Sequence, residues 1–143
     1  GDKSLISTTS DNLGNIIAKN SDKDIILVDM NSSPAAQAAV QEVIYLIEPS
    51  IIRINKMMMA GPDALNSLKT RTVILNKSLL STKDLLDFEY ESKLKIFYNM
   101  PPLDDRDKNI PVLNDMLAKM GFTKQRENEE EKKKNRILGI FGF

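Results

Sequence analysis

"DIILVDMN", residues 24–31, is the stretch on which the fold turns. Ile25, Ile26, Leu27 and Val28 follow one another without a polar residue between them, and acids flank the run. A strand with one wet face would alternate apolar and polar side chains. A continuous apolar run of this length, rich in β-branched residues, instead predicts a strand buried on both faces, as in a parallel sheet covered by helices. "TVILN", residues 72–76, repeats the pattern. Both stretches are expected to be central strands of one sheet.

Working outward, further strands are expected at Ser4–Thr8, Glu42–Glu48 and Leu94–Tyr98, beside Asp24–Asp29 and Arg71–Asn76. The segments between them carry helix punctuation. Asp11–Asn20 forms a first crossover; Ser33 can cap a helix that takes Pro34 at its first position, where a missing N–H costs nothing. Ser50–Ala60, ended by Gly61-Pro62, and Asp63–Lys69 follow. Ser81-x-x-Asp84 is close to a capping box. Leu113, Met116, Leu117 and Met120 recur at helical spacing, and Gly121 follows as a C-terminal stop. Strands alternating with helices along the chain predict an α/β domain over residues 1–122, a three-layer, mostly parallel five-stranded sheet with helices on both faces.

Composition narrows the chemistry. The 143 residues are 41% hydrophobic and 28% charged, which fits one globular domain. Twenty basic and twenty acidic residues cancel, so no basic field favours nucleic acid as a partner. Cysteine and histidine are both absent, which excludes disulfides, thiolate metal sites and Ser-His-Asp or Cys-His catalysis. No run approaches the roughly 18 apolar residues of a spanning helix, and no signal-peptide pattern opens the chain, so a cytoplasmic location is expected.

A phosphate-binding loop of the form G-x-x-x-x-G-K-[ST] does not occur, because no glycine is followed by lysine. "TTSDNLGN", residues 8–15, reads first as a polar β-to-α connection, whose hydroxyls and helix-start N–H groups could greet an anion only weakly. Asp29 closes its strand at the edge where open α/β sheets bind ligands. It suits Mg²⁺ held through a water, and equally the capping of the next turn. Asn76-Lys77 and the phrase "YNMPPLD" close later strands at the same edge, which makes Asp29, Asn76 and Pro101 the candidate binding residues. Met57, Met58 and Met59 are consecutive and cannot all face a sheet, so one should be exposed, for an interface or merely beside packed neighbours.

Beyond Phe122 the composition changes. Residues 123–136 form a charged spacer, in which Glu129–Lys133 and Glu130–Lys134 are favourable i, i+4 pairs. The chain then closes on "RILGIFGF". Drawn as a helix, Ile137, Ile140 and Phe141 share one face, Leu138 borders it and Phe143 extends it, while Lys132, Lys133, Lys134 and Arg136 lie just upstream to meet anionic head groups. A membrane-binding tail over 137–143 is expected. The alternative is that these residues fold back on their own domain or on a neighbour; Gly139 and Gly142 disfavour a rigid helix.

In order and spacing, "DIILVDMNSSPAAQAAVQEVIYLIEPS", "TVILNKS" and "LKIFYNMPPLDDR" resemble the second half of the MinD/ParA-type ATPases. The resemblance implies that Asp29 is the Walker B acid, that Asn76 lies near the base, and that Met100-Pro101-Pro102 is the proline-bearing loop beside it. The tail resembles the basic, apolar membrane helix that ends MinD-type proteins. Since the glycine-rich loop is missing and "MNSSP" replaces the family's "TPPG"-like phrase, the resemblance implies either a fragment of a longer ATPase or a degenerate relative, non-catalytic as it stands, acting in spatial positioning or scaffolding at the cytoplasmic membrane face. ATP and Mg²⁺ enter only if a phosphate loop exists upstream. The implied partners are an anionic membrane surface and a protein, or a second copy of the chain. The alternative is a pseudo-receiver signalling or interaction domain, because "DIILVDMN" also resembles the phosphoacceptor strand of response-regulator receivers. That family's acidic pair after the first strand is met only by Asp11.

Overall fold

The computed structural model describes residues 5–31, 33–50, 55–56, 59, 62–107, 110–122 and 136–142. Five parallel strands form one sheet in the order β1-β5-β2-β3-β4, and with the helices they make a three-layer α/β fold. The strands are β1 Ile25–Asp29, β2 Glu42–Ile47, β3 Thr72–Leu75, β4 Ile96–Asn99 and β5 Arg136–Gly142. The helices are α1 Ser10–Lys19, α2 Pro62–Leu68, α3 Thr82–Ser92 and α4 Pro111–Lys119, with a 3-10 helix over Pro34–Ala39. The chain divides into two compact units, Gly1–Ile44 with Lys132–Phe143, and Tyr45–Glu131.

In the first unit β5 lies beside β1, with Leu27 opposite Leu138 and Asp29 opposite Ile140. The helical conformation drawn for this tail is therefore corrected: from Ile137 to Gly142 the chain is strand, and Leu138 and Phe141 are buried. Physically, a short run of Ile, Leu and Phe interrupted by glycine is a poor helix, and it gains a full ladder as a strand. Arg136, expected among the basic residues of the spacer, opens β5. Its guanidinium donates to both carboxylate oxygens of Glu42, at 3.2 and 3.0 Å, and the Ile137 N–H donates to Gln41 Oε1 at 3.1 Å. Lys132, Lys133, Lys134 and Phe143 lie outside the described residues.

Two further expectations change in this unit. Leu5–Thr8 forms no strand and is exposed, while Ser4 lies outside the described residues. Among the described residues the fifth strand is Arg136–Gly142 instead. β1 is also an edge strand rather than a central one, and Leu27 is 64% exposed. Its apolar run nevertheless keeps Ile26 and Val28 half-buried.

The second unit follows the sequence closely. β3 is interior, and Val73, Ile74 and Leu75 are buried, as the continuous run predicts. Ser81 and Asp84 form a reciprocal capping box at the start of α3. Leu113, Met116, Leu117 and Met120 are each half-buried along α4, and Gly121 takes φ 92°, the left-handed stop that only glycine adopts cheaply. The Tyr98 hydroxyl lies 3.0 Å from Val112 O and 2.8 Å from Asp115 Oδ2, and Lys119 Nζ donates to Phe97 O at 2.7 Å, which fastens α4 to β4. The helix expected at Ser50–Ala60 falls mostly outside the described residues, as do Met57 and Met58; Met59 is exposed.

Candidate functional site

In the first unit, the carboxyl ends of β1 and β5 form one rim. The Met30 N–H donates to Ile140 O at 3.0 Å, which carries the ladder one residue beyond β1 and sets Asp29 beside the end of β5. Asp29 is exposed, and its Oδ1 accepts from the Asn31 N–H at 2.9 Å. That bond closes an Asx turn in which Asn31 takes φ 48°, a left-handed conformation that asparagine tolerates better than most residues. The turn-capping role foreseen for Asp29 is thus present, and it uses one carboxylate oxygen.

The turn leads into the 3-10 helix. Ser33 precedes it, but makes no capping bond through its side chain. Its Oγ instead lies 3.2 Å from Ser10 Oγ at the start of α1, where either hydroxyl can donate. Thr9, the N-cap of α1, likewise makes no side-chain cap. A carboxylate and two hydroxyls therefore belong to one unit at the carboxyl end of its strands. Among the described residues, no group of three or more acidic, histidine or cysteine side chains could hold a metal ion. Mg²⁺ asks for less: it retains waters and is met by one or two carboxylates plus phosphate. Asp29 fits such a water-bridged role, while nothing described in this unit supplies a cradle of backbone N–H groups and lysine for the phosphates.

Asn76 and Pro101 belong to the second unit and are brought together there. Leu75 is opposite Asn99 across β3 and β4, the Met100 N–H donates to Leu75 O at 2.8 Å, and the Ser78 N–H donates to Met100 O at 2.8 Å. The Asn76 N–H is itself engaged with Ile47 O at 2.8 Å, and its side chain is half-buried; Pro101 is exposed. Lys77 adopts φ 53° and its ammonium stands 3.6 Å from Glu48 Oε1, an exposed pair of small energetic weight.

Two residues of this second rim were not singled out from sequence. Ser78 is buried, and its hydroxyl accepts from the Leu80 N–H at 3.2 Å. Asn99 donates from Nδ2 to Leu80 O at 3.1 Å, and its Oδ1 is buried without a hydrogen-bond partner. The sequence signal was a polar residue closing an apolar strand, within the phrase "YNMPPLD" itself. No protein-family model matches this chain, and neither a curated protein nor a solved structure matches it.

Proposed function

We propose that the chain is a scaffold of MinD/ParA type, which positions partners rather than hydrolysing nucleotide, with the β1–β5 carboxyl rim as its ligand-facing edge. One observation carries this reading, the adjacency of Asp29 and the end of β5. In P-loop NTPases Mg²⁺ is held jointly by a hydroxyl of the phosphate loop and by a strand-end Asp, so the strand that leads into the loop must end close to the Asp strand. β5 runs parallel to β1 in that position and ends on Ile140-Phe141-Gly142. Within the 143 residues no G-x-x-x-x-G-K-[ST] phrase occurs.

The same geometry changes how the molecule would be placed in a cell. Leu138 and Phe141 are committed to the sheet, so attachment to a membrane face would come through a bound protein rather than through these side chains. The test has two arms. The chain as it stands should give no ATP turnover, and Mg-ADP should leave its Tm unchanged. A variant carrying a glycine-lysine phosphate loop and helix start directly after Phe143 should gain a Mg-dependent Tm rise that Asp29→Ala removes. Turnover by the chain itself that is lost in Asp29→Ala overturns the non-catalytic reading, and a grafted loop indifferent to Asp29 overturns the rim.

A further inference from the structure

We draw no further inference here: the strongest candidate, the exposed surface patch of Leu86 and Tyr90 on the outer face of α3, is ringed by charges of both signs, Lys83 and Lys93 against Asp87 and Glu91, which select no partner, and nothing in the structure shows what covers it.

Discussion

Gly139 shows how closely β5 is seated. A Cβ built there would lie 2.9 Å from Val40 Cγ2 and 3.0 Å from both Cε and Sδ of Met30. The requirement is for space rather than for backbone freedom. The neighbouring atoms end side chains, one of them a flexible methionine, so the sheet can give slightly but not for nothing. Gly139→Ala is expected to destabilise the protein by about 1–3 kcal/mol in urea unfolding, with much of that loss recovered in the double variant with Val40→Ala. A neutral Gly139→Ala would mean that β5 is held less tightly than its geometry implies.

Helix α3 is the element whose origin is most local. Ser81 Oγ accepts from the Asp84 N–H at 3.2 Å, the Ser81 N–H donates to Asp84 Oδ2 at 3.2 Å, and the serine hydroxyl donates to the same oxygen at 2.6 Å. The hydrogen bond from the Ser81 side chain, then that from its backbone, lower the Asp84 pKa from the ordinary carboxylate value. A depressed carboxylate pKa means that the unfolded chain binds the proton more readily. The linked stability is therefore present at neutral pH and disappears as acid protonates Asp84 in the folded state. Ser81→Ala should cost about 1 kcal/mol at pH 7 and less at pH 3, a difference that thermal melts at the two pH values would reveal. An equal cost at both would remove the carboxylate from the account. Asp22, beside Lys23, and Asp104, whose carboxylate Arg106 grips at 2.9 and 2.8 Å, shift in the same direction, but both are exposed pairs of near neighbours and add little.

For the whole molecule the decisive fact is that its most apolar short stretch, next to its most charged one, ends inside the sheet. Leu138 is only 2% exposed, and among the described residues β5 is the strand that pairs with β1. Drawing β5 into a bilayer would uncover Leu138 and Phe141 and leave β1 unpaired, a loss of several kcal/mol against a gain of similar kind. Sedimentation with vesicles of anionic lipid should accordingly leave the folded chain in solution at any salt concentration. Salt-sensitive binding that vanishes in Ile140→Glu/Phe141→Glu, with an unchanged melting profile beforehand, would restore the bilayer as the destination of these residues.

Much of this was legible from the chain alone, and the reason is locality. Ser81-x-x-Asp84, Pro111 and Gly121 set helix boundaries through bonds and sterics that span a few residues. "TVILN" read as buried on both faces because Val73, Ile74 and Leu75 follow one another without a polar residue between them, and all three are buried. At the rim, the sequence already placed Asp29, Asn76 and Pro101 at strand ends, but it missed Ser78 and Asn99, whose burial comes from chain segments far from them. "IILV" carries the same message as "TVIL" yet lies at an edge, because edge or centre depends on which distant segment arrives beside a strand. "RILGIFGF" satisfies a helical stripe and a strand alike, as short apolar runs do. Its conformation was decided by hydrogen bonds to Asp24, Met30 and Gln41, residues about a hundred positions away whose open ladder no local pattern encodes.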